Sequence, residues 1–292
     1  MSALDLKKKR AIYLQAKKNN YAIASFNFSE ISQIKGILAA AKKTGLPVMI
    51  ETSEGESKYL GLETAVMLKN MAEKELGRPI ILNLDHGKSF EYLKKAIAAG
   101  YDMVHFDGAG LPLNENIRTC KLVVEYAHKH EVMVEGEVGV LRGSSKIHTE
   151  KVIVRKEDMT HPEEAKEFVD KTGVDFMASV IGNLHGICIG STKQLDIQRL
   201  GEINKAVGNS AFLSLHGGSG ISPAQIKKAI ENGIVKININ TELRIAWKNG
   251  IEKSFALDKN EVAPSKIMPF VVEGVERVAE KKMLLFSEKA KR

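Results

Sequence analysis

The sequence predicts an α/β protein folded as a single (β/α)8 TIM barrel with additional C-terminal helices. Its 292 residues lie close to the roughly 250 of one such barrel. Eight short β-rich runs alternate with helical patterns, the grammar of a parallel sheet wrapped by helices. No Gly/Ser-rich linker, composition break or low-complexity segment interrupts them, so residues 1–292 read as one domain.

The β-rich runs are Tyr21 to Asn27, Pro47 to Ser53, Pro79 to His86, Asp102 to Gly108, Val132 to Gly139, Asp175 to Gly182, Ala211 to Gly218 and Ile234 to Asn240. Several are almost continuously apolar, such as Ile80-Ile81-Leu82, as expected where helices cover one face and the core the other. The intervening helices have readable ends. Ser222 suits an N-cap, Pro223 the first helical position, Gln225 a capping box and Gly233 the C-terminus, with Ile226, Ala229 and Ile230 on one face. Ser89 to Gly100 repeats the pattern with Leu93, Ala96 and Ile97 inward, and Pro162 to Gly173 with Ala165, Phe168 and Val169 inward. The connection from Val140 to His161 is long enough to be an active-site lid, hinged at Gly143-Ser144-Ser145. From about Ile251 to Arg292 the chain reads as extra helix punctuated by Pro264 and Pro269.

Composition narrows the class of function. Forty-three basic and 36 acidic residues leave a charge of +7, a bias toward anionic partners. The Lys doublets are scattered over amphipathic helical patterns, and one Trp offers no stacking platform, so nucleic acid is not expected as a partner. No apolar run reaches the roughly 18 residues of a membrane span, and Lys7-Lys8-Lys9-Arg10 has no apolar stretch behind it, so no membrane association and a cytoplasmic location are expected. Two cysteines, Cys120 and Cys188, cannot form a disulfide framework and suit a reducing compartment.

In such a barrel, chemistry sits at the C-terminal strand ends. Here those ends are polar: Asp85-His86 on the third run, Asp107 on the fourth, Glu135 and Glu137 on the fifth, His185 beyond the sixth, His216 on the seventh, Asn238 and Asn240 on the eighth. His86, His185 and His216 can converge as three neutral imidazoles with an open position, which a catalytic Zn²⁺ requires. Glu137 offers a further ligand or an outer-shell carboxylate. His105 points into the barrel below the rim and reads as core, while His128, His130, His148 and His161 read as surface. After the seventh run, His216-Gly217-Gly218-Ser219-Gly220 lets backbone N–H groups approach an anion where barrels commonly hold phosphate, and Ser219 and Thr241 add hydroxyls. Metal, phosphate and an adjacent carboxylate point to carbon–carbon cleavage: Zn²⁺ polarises a carbonyl and stabilises the enediolate, while Asp85 moves the proton of the leaving carbon's hydroxyl. A Schiff-base route lacks a rim lysine, since Lys236 lies mid-strand.

These residues resemble the class II, zinc-dependent ketose-bisphosphate aldolases. The motifs are Leu84-Asp85-His86, Val134-Glu135-Gly136-Glu137-Val138-Gly139, Ile181-Gly182-Asn183-Leu184-His185-Gly186, Leu215-His216-Gly217-Gly218-Ser219 and Asn238-Ile239-Asn240-Thr241-Glu242, in the family's order. The resemblance implies Asp85 as catalytic acid/base, His86, His185 and His216 as zinc ligands, and Glu137 close to the metal. It implies Gly186, Gly217, Gly218 and Ser219 around the dihydroxyacetone-phosphate half, with Asn238, Asn240 and Thr241 completing the site and Ser53 approaching the same phosphate. It further implies a monovalent cation (Na⁺ or K⁺) near that phosphate, a homodimer or homotetramer, and reversible cleavage of fructose 1,6-bisphosphate to dihydroxyacetone phosphate and glyceraldehyde 3-phosphate. Tagatose bisphosphate or another ketose phosphate is the alternative substrate. Departures from the pattern are Ala109 where many members have Ser, Val140 to Ser145 where many carry an acidic lid, no Lys closely following His185, and Ser265 beside Lys266 where an Arg is common. Lys266 or Arg244 would then have to reach the second phosphate. Rival readings are epimerisation of a phosphorylated ketose and a non-catalytic sugar-phosphate-binding relative.

Overall fold

A computed structural model of the chain describes residues 4–190 and 193–288; the expected domain ends at 1–3 and 289–292 lie outside the described residues. Each of the eight β-rich runs holds one barrel strand. They are β1 (Ile23–Asn27), β2 (Val48–Ser53), β3 (Ile81–Gly87), β4 (Met103–Phe106), β5 (Met133–Val138), β7 (Phe176–Ser179), β9 (Phe212–Leu215) and β10 (Ile234–Ile239). All pair in parallel and close in that order, with β10 against β1. Two further strands, β6 (Gly143–His148) and β8 (His185–Cys188), pair with each other outside the barrel. The expected lid is therefore partly a two-stranded parallel sheet, and Gly143-Ser144-Ser145, expected as its hinge, belongs to that sheet.

The helices are α1 (Leu6–Lys18), α2 (Ile31–Thr44), α3 (Glu54–Leu60), α4 (Leu62–Leu76), α5 (Phe90–Ala99), α6 (Leu113–Lys129), α7 (Pro162–Thr172), α8 (Ile197–Val207), α9 (Pro223–Glu231), α10 (Thr241–Leu257) and α11 (Pro264–Phe286). None of the described helices is long and apolar enough to cross a membrane. α5 and α7 end as their sequences require. Ser89 accepts from the Tyr92 N–H, Pro162 opens α7, and Gly100 and Gly173 adopt left-handed φ at the C-termini. At α9, Ser222 accepts from the Gln225 N–H as expected, but the Gln225 side chain does not complete a capping box. Its amide instead donates to the Lys193 carbonyl and accepts from the Leu195 N–H.

The tail departs from expectation in its boundaries. α10 starts at Thr241, because it is the helix of the eighth βα unit, and Pro269 lies inside α11 without ending it. An interior proline costs a helix about 3 kcal/mol. Burial of Val271, Val275, Ala279, Met283 and Phe286 offsets that cost, at roughly 1.5–3 kcal/mol for each larger side chain. Gly36 of α2 permits the packing: a Cβ there would meet the Val272 carbonyl and the Val275 side chain at 2.8 Å.

α1 closes the N-terminal end of the barrel. Its Tyr13 is fully buried, edge-on to Phe176 at 4.6 Å and tilted to Phe212 at 5.8 Å. Met49, Met103 and Met133 complete that cluster, separate from the main core between strands and helices. Tyr13→Ala is expected to cost about 3–5 kcal/mol, the range for an aromatic removed from a core, read as a lower urea midpoint with an unchanged slope.

Candidate active site

Inside the barrel the strands carry polar side chains, in contrast to their apolar outer faces. Ser25, Glu51, Asn83, Glu135, Ser214 and Lys236 are completely buried. Lys236 donates to Glu135 at 2.6 Å and lies 3.7 Å from Glu51. Burial works against the Glu135 charge, but Lys236 and His216 outweigh it and hold that carboxyl well below the usual range. Glu51 goes the other way, pushed up to about 8 by burial and by the nearby Asp85 charge. Near neutral pH Lys236 thus faces one carboxylate and one carboxylic acid.

The rim layer stands on this base. Asp85 and His86 are consecutive, so a regular strand would point them to opposite faces. Two features bring them together: the β3–β4 register shifts between Leu84 and Gly87, and His86 has a φ of +51°. A left-handed histidine inside a strand is a strained arrangement, of the kind retained where surrounding contacts over-determine it. It turns the ring so that Nε2 lies 3.1 Å from His185 Nε2 and 3.0 Å from His216 Nδ1. His86 therefore stands between the other two predicted rings, in contact with each. His185 reaches the point from β8, not from a barrel strand end, since β7 stops at Ser179.

Proton positions follow from the partners of the outer ring nitrogens. His86 Nδ1 faces Asp107 Oδ2 at 2.9 Å, and His216 Nε2 faces Glu135 Oε1 at 3.0 Å. Both carboxylates call for an N–H, which turns His86 Nε2 and His216 Nδ1 toward each other as two nitrogens that a proton or a metal ion can bridge. Burial works against a charge on His86, but Asp85, Asp107 and Glu137 raise it above its ordinary range. His185 is the third ring, and burial pushes it well below its ordinary range. This donor set fits Zn²⁺, and Asp107 and Glu135 orient its rings from behind. Among the described residues, the groups whose potential ligand atoms all lie within 4.8 Å of one another are Asp85, His86, His105 and His216, and separately His86, Asp107 and Glu137; His185 belongs to neither. Glu135→Gln, which keeps the shape but removes the charge behind His216, is expected to weaken divalent-ion affinity about 10–100-fold, measured by competition with a chromogenic chelator.

Glu137 sits at the other edge of the His86 ring, 3.5 Å from Nδ1 and 3.3 Å from His105 Nε2. With Asp107 it forms a carboxylate wall behind His86, and these three residues bring potential ligand atoms within 4.8 Å of one another. His105 is buried as expected, yet it serves the site: its Nδ1 accepts the His86 backbone N–H at 3.2 Å, helping to hold the strained φ. His148, expected on the surface, places Nε2 3.1 Å from the His185 carbonyl.

Asp85 faces the three rings. Its Oδ1 lies 3.8 Å from His86 Nε2 and 3.7 Å from His216 Nδ1, and its oxygens accept from Asn27 at 3.2 Å and Asn238 at 3.1 Å. Burial favours its neutral form, but the positive charge of Lys236 and the N–H groups around the carboxyl outweigh this and hold it well below the usual range. Asn27 is a site residue to which sequence reading assigned no role; the signal was its position as the polar end of β1.

Beside Asp85 opens a cleft lined by Gly186, Gly217, Ser219, Asn240, Thr241 and the β6 residue Ser145, among others. Gly217 has a φ of +63°, and a Cβ there would fall on the Leu184 carbonyl, so only glycine lets these two loops touch. Asn240 donates to Glu56 at 3.3 Å, and Ser219 Oγ accepts from the Glu242 N–H. Two predicted phosphate contacts are engaged elsewhere. Ser53 caps α3, and the Gly218 N–H donates to the Asn238 carbonyl. Of the residues considered for a second phosphate, Lys266 is exposed and paired with Glu261. Arg244 stands at the rim, donating to Glu56 at 2.6 Å and to the Ser145 carbonyl at 2.9 Å.

Comparison with known proteins gives a consistent answer. A family model described as fructose-bisphosphate aldolase class-II matches residues 7–291. The 6-phospho-5-dehydro-2-deoxy-D-gluconate aldolase of Shouchella clausii is 39% identical over 274 residues, 93% of this chain and 91% of that one. The fructose-bisphosphate aldolase of Staphylococcus aureus is 35% identical over 280 residues, 95% and 96% of the two chains. Among solved structures, the YdjI aldolase of Escherichia coli K12 superposes with a TM-score of 0.81 at 30% identity, covering 97% of this chain and 98% of that one.

Proposed function

Since the chain belongs to the class-II fructose-bisphosphate aldolase family and is thus a lyase of carbon–carbon bonds, we propose that it reversibly cleaves fructose 1,6-bisphosphate to dihydroxyacetone phosphate and glyceraldehyde 3-phosphate. The observation that supports this reading is the contact of His86 with both His185 and His216 beside Asp85, whose carboxyl is held well below the usual range. A Zn²⁺ held by the three imidazoles would supply a Lewis acid that polarises the substrate carbonyl and spreads the charge left by cleavage. The remaining steps belong to the chain's own groups. Gly186, Gly217, Ser219 and Thr241 hold the phosphate of the dihydroxyacetone half in the cleft, with Asn240 at its edge. Asp85, aimed by Asn27 and Asn238, takes the C4 hydroxyl proton during cleavage and returns it during condensation. The same carboxylate serves both directions because the two asparagines hold it in place whichever side carries the proton.

A second reading has its own support. Arg244, at the rim, already faces the Glu56 carboxylate, which lowers its value for a second phosphate. The Shouchella clausii relative is named for a substrate with one phospho group. Another ketose phosphate therefore stands as the alternative.

The test is triose release by zinc-loaded protein from fructose 1,6-bisphosphate, tagatose 1,6-bisphosphate and fructose 1-phosphate, with metal content measured on the same preparation. Preference for fructose 1,6-bisphosphate is expected. Preference for the monophosphate would favour the second reading, and no triose from any of the three would end both.

A further inference from the structure

Folding places Lys193 beneath the cleft, although it lies too far along the chain from His185 to be read as its neighbour. Its side chain is 7% exposed, and Nζ lies 2.7 Å from the Leu184 carbonyl and 2.6 Å from those of Gly217 and Ser219. Three carbonyl oxygens around one point form the kind of cage that strips water from a sodium or potassium ion. Here the three N–H bonds of an ammonium match them one for one. The cage spans both loops of the anion cradle, since Leu184 precedes His185 while Gly217 and Ser219 lie in the glycine-rich turn. The Lys193 backbone is itself clamped by Gln225, the residue that leaves its own helix cap to do so.

We propose that Lys193 is this chain's built-in monovalent cation, filling with a tethered ammonium the site that a free Na⁺ or K⁺ would need beside the phosphate. The expectation of a separate monovalent ion does not fit these residues, because the cage is already full. The inference rests on the reading of the cleft as a phosphate site. Charge bookkeeping supports it. Among the described residues no carboxylate pairs with Lys193, and the nearby Glu242 is engaged by Lys282 at 2.7 Å. Burial pulls the lysine down to about 7, against the charged form; what favours the ammonium is the geometry, since three carbonyls need three N–H bonds and a neutral amine has only two. Turning three carbonyl oxygens onto the ammonium also keeps their negative ends out of the cleft. A positive charge fixed behind the turn, at low local dielectric, favours a phosphate over neutral ligands.

The test compares the native protein and Lys193→Ala, each loaded with the same divalent ion and held in tetramethylammonium buffer. Sodium-23 line width reports cation binding, and calorimetry reports inorganic phosphate binding. The native protein is expected to show no site-bound sodium and the same phosphate affinity with or without sodium. Lys193→Ala is expected to acquire sodium binding and to lose about tenfold in phosphate affinity, regained on adding potassium or ammonium; that loss is about 1.4 kcal/mol. Site-bound sodium in the native protein, or a folded variant that acquires none, would overturn the proposal. If the variant does not fold, the native arm decides alone. The expected sodium result with no phosphate binding in either protein would overturn the cradle reading and leave the cation assignment standing.

Discussion

Asp85→Asn is expected to lower kcat by about 10²–10⁴, the usual worth of a positioned general base, while leaving zinc content and KM within a few-fold of the original. The reasoning is geometric. The carboxylate approaches His86 and His216 no closer than 3.7 Å, so its loss leaves the three imidazoles in place. An asparagine fits the same space: its oxygen still accepts from one of Asn27 and Asn238, and its NH2 meets the other once that residue turns its own amide oxygen inward, so the fold is retained. What disappears is an oxygen able to take a proton. A kinetic trace with metal content on the same sample decides the matter: unchanged turnover with full zinc would remove Asp85 from the chemistry. If zinc were lost along with activity, Asp85 would be a ligand and not the base.

Removal of the divalent ion is expected to abolish triose release, by about 10³-fold or more if the ion contributes several kcal/mol to stabilising the developing charge. His216→Ala should do the same through the site itself. His216 is nearly fully buried, and its ring is the link between Glu135 below and His86 above. Alanine there takes away one ligand and leaves the Glu135 carboxylate without its imidazole N–H. Elemental analysis should show zinc displaced, and re-addition should restore the chelated native enzyme but not the variant. Full activity in protein stripped of metal would refute the zinc assignment and with it the mechanism above.

The parts of this architecture that were legible beforehand are those that local physics dictates. Alternation of apolar runs with capped amphipathic stretches is a short-range pattern, so eight strands, the ends of α5 and α7 and the inward faces of those helices could be read from neighbours a few residues apart. Asp85, His86, His185, His216 and the Gly217 to Ser219 turn could be singled out because polar groups and glycines at strand ends break that pattern. Other features were invisible because they arise from contacts across the chain. Glu51, Glu135 and Lys236 come from three different strands, and only closure of the barrel makes them one buried charge system. The lid became a strand because β8 offered it a partner. Lys193 is held at the cleft by carbonyls of Leu184, Gly217 and Ser219, not by nearness in sequence. Which residue types do the chemistry is thus written in the linear order, since side-chain identity is local. Where their atoms meet is a property of the closed barrel, because a bulge at His86, a cage of distant carbonyls and a proton directed by a carboxylate on another strand exist only once separate segments are brought within hydrogen-bond reach.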